Sequence, residues 1–173
     1  MNVFRTDGYY RYMLLAVSTV CVFAAALSFY TKAAPVELFL MCASGGVAVF
    51  ITMQTWSVKI WTDKGFLHKE SLLGCRAIEM ALITDITVMS MRGRYVFMAL
   101  TTDNFLVLST MLENFPALKD ILRNNTTEKA FAEMDKISDD QITRKKTTMK
   151  LMLAVLLIIC AVIVVYRFKW ILL

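Results

Sequence analysis

The sequence has one histidine, His68, and no second His or Cys stands near it. Three of its four cysteines, Cys21, Cys42 and Cys160, lie inside long apolar stretches, which leaves only Cys75 in the polar middle. That usage cannot build a disulfide framework, and no C-x-x-C pair is present for metal or redox work. There is no glycine-rich phosphate loop, no nucleophile elbow and no metal-binding cluster. Asp63, Asp85 and Asp103 each fall in or beside a turn, where local side-chain-to-backbone bonding accounts for them. The residues therefore point to no catalytic function and no cofactor.

Charge is missing in a more telling way. Residues 13–30, 36–55 and 151–166 contain no Lys, Arg, Asp, Glu or His, apart from Glu37 at the edge of the second stretch. A bilayer core of about 30 Å needs ~20 apolar residues in helix, with ~17 as the lower limit. The first two stretches meet that length, and the third does so if Phe168, Trp170 and Leu172 form its interfacial end. Across the chain's 173 residues the hydrophobic share is 58% and the mean hydropathy +0.58, well above the ~45–50% of soluble domains. The sequence predicts an integral membrane protein. The first stretch runs longer than the ~7–15 residues of a signal-peptide core, so a retained anchor is expected.

Span ends carry the orienting charges. Arg5, Arg11, Lys59, Lys64, Arg144, Lys145, Lys146 and Lys150 fall on the side of the middle region, against Lys32, Arg167 and Lys169 on the other. This predicts a cytoplasmic middle domain. Arg144, Lys145 and Lys146 are read as topology determinants and leaflet contacts, which also explains the net charge of +5. No basic-aromatic stripe suggests nucleic acid. With no ionisable residue inside the spans, a pump or transport path made by this chain alone is disfavoured. Only residues 31–35 join the first two spans, so they form a helical hairpin. Ala24 and Ser28 in one, Ser44 and Ala48 in the other, are candidate small-residue packing positions.

The middle region changes to period two. Trp56, Val58 and Ile60 share a strand face, and Thr62-Asp63-Lys64-Gly65 is a turn. Phe66 to Leu73, Ala77 to Ile83, Ile86 to Met91, Tyr95 to Leu100 and Phe105 to Ser109 read as strands, the last two joined by a tight Asp103-Asn104 turn. Asn114 then caps a helix bearing Pro116, with Phe115, Leu118, Ile121 and Leu122 on one face. A second short helix is expected from Asn125, with Glu128 completing a capping box. Ser138-Asp-Asp-Gln141 has the same form and opens either a stalk leading into the third span or a flexible linker. The strand-rich methionines Met80, Met89, Met91 and Met98 suit adaptable core packing or a protein-contact surface. The expected organisation is a tail and hairpin over 1–55, a β domain with its helix over 56–125, a connector over 126–150 and a third span over 151–173.

The run from Val58-Lys-Ile-Trp-Thr-Asp-Lys-Gly-Phe-Leu through Ile83-Thr-Asp-Ile-Thr-Val, Thr101-Thr-Asp-Asn-Phe-Leu-Val-Leu and Phe115-Pro-Ala-Leu-Lys-Asp-Ile-Leu resembles the membrane-anchored bacterial pleckstrin-homology-like (PH-like) domain proteins. The resemblance implies an α+β protein whose three transmembrane helices carry a small curved antiparallel sheet, closed by a C-terminal helix, at a bacterial inner membrane. It implies a role in binding or assembly with other membrane protein subunits, or in sensing anionic lipids. Lys64, Lys69, Arg92 and Arg94, in or near strand-connecting turns, are the candidate headgroup contacts.

Overall fold

A computed structural model describes residues 2–31, 34–91 and 93–172, so Lys32 and Arg92 lie outside the described residues. So do the side chains of Arg167, Phe168, Trp170 and Leu172. The chain is α+β and divides into two compact units. One takes Met1–Asp7 with Ser57–Met149, and the other Gly8–Trp56 with Lys150–Leu173.

The strand-rich unit holds two antiparallel sheets. The first has four strands in the order β1 (Asn2–Arg5), β2 (Lys59–Asp63), β3 (Phe66–Ser71) and β4 (Gly74–Glu79). The second has three: β5 (Asp85–Met91), β6 (Arg94–Leu100) and β7 (Phe105–Ser109). Alternation sets the faces. Phe4, Ile60, Leu67 and Ile78 point inward from the first sheet, Ile86, Phe97, Ala99, Leu106 and Leu108 from the second. Helix α3 (Phe115–Asn125) lays Phe115, Leu118 and Leu122 on this core, and the Phe115 ring stacks on Phe97 at 5.1 Å. Helix α4 (Glu128–Asp135) adds Phe131 and Met134 and packs on β5, where Glu133 accepts a bond from the Val88 N–H at 3.4 Å.

Several local expectations are refined. Lys64 and Gly65 form the β2–β3 turn with φ of 45° and 86°, the left-handed pair that matches strand twist. Asp103 and Asn104 do not make a two-residue turn. A four-residue loop closes between Leu100 and Phe105, with the Thr101 N–H donating to the Asn104 carbonyl at 2.8 Å. Asn125 does not cap α4. It ends α3, its Nδ2 donates to the Ile121 carbonyl, and Thr127 caps α4 by accepting from the Ala130 N–H at 3.4 Å. The capping box at the start of α5 (Asp139–Leu172) is reciprocal: Gln141 N–H to Ser138 Oγ at 3.3 Å, Ser138 N–H to Gln141 Oε1 at 3.4 Å. The N-terminal tail, grouped on sequence with the hairpin, is β1 and pairs along its whole length with β2.

The helical unit contains α1 (Gly8–Tyr30), α2 (Pro35–Ser57) and the last part of α5; each is long and apolar enough to cross a bilayer. α1 and α2 run antiparallel. The Thr52 hydroxyl donates to the Leu14 carbonyl at 3.2 Å, Tyr12 meets the Trp56 ring edge-on at 5.7 Å, and Arg11 lies 5.6 Å from the same ring. Gly45 faces the Cys21 backbone closely enough that a Cβ would sit 3.7 Å from its carbonyl oxygen. Among the candidate packing positions, Ser28 is buried, Ala24 and Ala48 are half-buried, and Ser44 is exposed. The seam on α2 runs through Gly45, Ala48 and Thr52, one residue on from Ser44.

Candidate functional site

Three chain connections lead from the strand-rich unit toward the apolar helices: after Asp7, before Ser57 and after Met149. A continuous set of contacts ties all three to one end of that unit. Arg5 pairs with Lys59, and Lys59 with Glu70, whose carboxylate lies 3.8 Å from the ammonium. The Asp7 N–H donates to the Met111 carbonyl at 2.8 Å, and the Glu113 N–H to the Arg5 carbonyl at 2.7 Å. One step further, Tyr95 and Thr110 exchange bonds of 3.1 Å at the start of β6. The first turns of α5 close the set. Lys145 donates to Ser90 Oγ at 2.6 Å and to the Met91 carbonyl at 3.0 Å, with its ammonium 4.1 Å from the Tyr95 ring centre. Lys146 donates to the Leu112 carbonyl at 2.8 Å, and Met149 covers Gly93.

Two hairpin turns project at this end. The β5–β6 turn carries Met91, 48% exposed. The β3–β4 turn is Leu72-Leu73 between Ser71 and Gly74, which pair. Leu72 is 47% and Leu73 81% exposed, and Gly74 takes φ of 123°, a conformation that favours glycine. An apolar pair at a tight turn is the reverse of ordinary turn chemistry.

The four basic residues expected to meet a headgroup do not come together. Lys64 sits in the β2–β3 turn, at the opposite end of β2 from Lys59. Lys69 lies on the inner row with Ile60 and Arg76, where its ammonium donates to the Val107 carbonyl of β7 at 2.6 Å. Desolvation, and then the nearby Arg76 charge, hold its pKa below the ordinary lysine value. Arg76 in turn lies over Phe105 at 5.2 Å. These two cations join the sheets across their β4 and β7 edges. Arg94 stands half-buried at the span-connected end, and Arg92 is outside the described residues. Of the three cations expected to face the leaflet, Lys145 and Lys146 bond to the strand-rich unit as above. Arg144 pairs with Asp140 at 3.0 Å on an exposed surface.

His68 stacks flat on Trp61, ring centres 5.1 Å apart and planes within 3°, on the outer face of the first sheet. Among the described residues no three His, Cys, Asp or Glu side chains gather to hold a metal. Open grooves lie on the strand-rich unit. One of about 250 Å³ is lined by Asn2, Phe4, Glu113 and Ala117, and one of about 380 Å³ lies beside the exposed Arg123–Asp135 pair. The second groove includes that ion pair in its lining, and neither groove sets a nucleophile beside a base.

Sequence reasoning missed the inward place of Lys69, although the signal was there: it lies two residues from Leu67 and so shares its face. It also read Leu72 and Leu73 as the end of a strand, where the glycine that follows marks a turn. No family model, curated protein or solved structure matches this chain.

Proposed function

We propose that this chain is a non-catalytic integral membrane subunit. It docks through its three spans in a larger membrane protein complex and presents a PH-like unit at the cytoplasmic face of a bacterial inner membrane. The observation that carries the reading is the convergence of all three span connections on one end of the strand-rich unit. A domain held at three points beside the bilayer cannot travel to a distant substrate; it acts on what lies next to it. The PH-like reading is supported by sheets of four and three strands followed by a helix packed on both. With β1 the described strands number seven. The orientation is supported by the excess of Lys and Arg beside the strand-rich unit. Because β1 pairs with β2, both ends of the hairpin lie on one side of the membrane, as two crossings require.

Native mass measurement after extraction in a mild detergent tests this. The expected species is heavier than one chain plus detergent and contains another membrane protein. A species of monomer mass with no co-purifying partner overturns it.

A lipid-surface sensor is the second reading, favoured by the register partners Arg5 and Lys59 near the span connections and by Arg94 at the start of β6. In nanodiscs, a change in hydrogen exchange around β6 on adding anionic lipid to a zwitterionic bilayer supports it. Identical exchange in both lipids rules it out.

A further inference from the structure

We infer that the Leu72-Leu73 turn is a fourth membrane contact, a shallow anchor seated in the headgroup and acyl boundary of the bilayer that holds the chain's own spans. The inference rests on the three apolar helices being spans and on nothing about protein partners.

Register fixes the place of the turn relative to Ser57, where the chain leaves α2. Ser57 is the last residue of α2 and Lys59 the first of β2, so at most about 7 Å of chain separates them. Lys59 pairs with Glu70, and β3 continues past Glu70 in the direction in which β2 runs back toward Ser57. Leu72 is therefore level in register with Ser57, one residue from Trp56 at the end of the apolar stretch. Each strand residue advances about 3.3 Å, so the turn reaches roughly 7 Å beyond the Lys59–Glu70 pair. The zone between bilayer core and water is itself only about 5–8 Å deep on each side. The turn is held in that register, because Lys59, Arg5 and Glu113 are fastened to one another at its base.

Chemistry selects lipid as the occupant. The pair is aliphatic, carries no hydrogen-bonding side chain, and is flanked by Lys59, Glu70 and Arg5, which suit the headgroup layer. Burying one leucine favours the buried state by about tenfold or more. The opposite turn of the same sheet, Lys64-Gly65, has no apolar residue at its tip.

The test uses the full chain with Cys21, Cys42, Cys75 and Cys160 replaced by alanine. Single cysteines at Leu73→Cys, Lys64→Cys and Ile158→Cys carry a nitroxide label in phospholipid vesicles. Accessibility is read against oxygen, which concentrates in lipid, and a water-soluble nickel chelate. The oxygen-to-nickel ratio at position 73 should exceed that at 64 by about tenfold and approach that at 158. A ratio at 73 equal to that at 64, or a label closed to both reagents as under a protein partner or second copy, overturns the anchor while leaving the spans intact. An aqueous ratio at 158 overturns the spans and the anchor together.

Discussion

Lys69 occupies an inward row where its neighbours Leu67 and Ile78 are aliphatic, and its ammonium caps a carbonyl on the edge of β7. Loss of water around it lowers its pKa, so the folded protein releases this proton at a lower pH than the unfolded chain does. Between those two values the unfolded state binds more protons, and stability rises with pH. Its contribution is complete above the ordinary lysine value near 10.4 and is lost as pH falls through the folded value. Thermal unfolding followed from pH 7 to pH 11 should show this rise, and Lys69→Met should flatten it. An unchanged slope in Lys69→Met refutes the assignment. Gly93 is fixed by two constraints: a φ of 82°, and Met149 atoms 2.9–3.4 Å from where a Cβ would stand. Gly93→Val should cost about 2 kcal/mol or more, read as a lowered unfolding midpoint. Ser28 contrasts with both. Its hydroxyl is buried in the helical unit with no hydrogen-bond partner among the described residues. Ser28→Ala should therefore leave stability unchanged or raised by up to about 1 kcal/mol in detergent, because it removes an unpaid desolvation cost.

Among the elements, those with a strong local period were legible in the sequence. Phe115, Leu118 and Leu122 recur at helical spacing and bury together, and Ser138 with Gln141 makes the expected reciprocal cap. Gly65 marked its turn because only a left-handed backbone closes two strands over two residues. Strand β1 was not legible. It has four residues, a single buried one in Phe4, and a partner that lies beyond two apolar helices in sequence. No local pattern reports a contact of that separation. The candidate site was partly legible for the same reason. Basic residues were visible as types, whereas which of them meet depends on pairings such as Arg5 with Lys59. Strand β1 is nonetheless part of the core, and Phe4→Ala should destabilise the strand-rich unit by about 3 kcal/mol or more. Loss of hydrogen-exchange protection in β2 but not in β6 would be the expected signature. Uniform loss would mean that the two sheets unfold as one.

For the molecule as a whole, the pairing of Arg5 with Lys59 makes the helical hairpin an insertion between two neighbouring strands. Their ends are only about 5 Å apart. Residues 2–7 joined by a short glycine-serine linker directly to 58–149 should therefore fold without the spans. Cooperative unfolding with intact near-ultraviolet dichroism is the expected result. A chain beginning at Trp56 and ending at Asn125 lacks β1 and α4 and should not unfold cooperatively. If the shorter piece melts as sharply as the longer one, the strand is dispensable.

The same insertion sets an order of events at the ribosome. Strand β1 precedes the hairpin in the chain, and its neighbour β2 does not exist until both helices of the hairpin have been synthesised. Throughout that interval Phe4 and the β1 edge lack the partners they have in the folded chain. On the proposed membrane reading, completion of the first sheet reports that the hairpin has entered and returned on one side. On that reading, a chain whose second helix fails to come back leaves β1 without its partner β2.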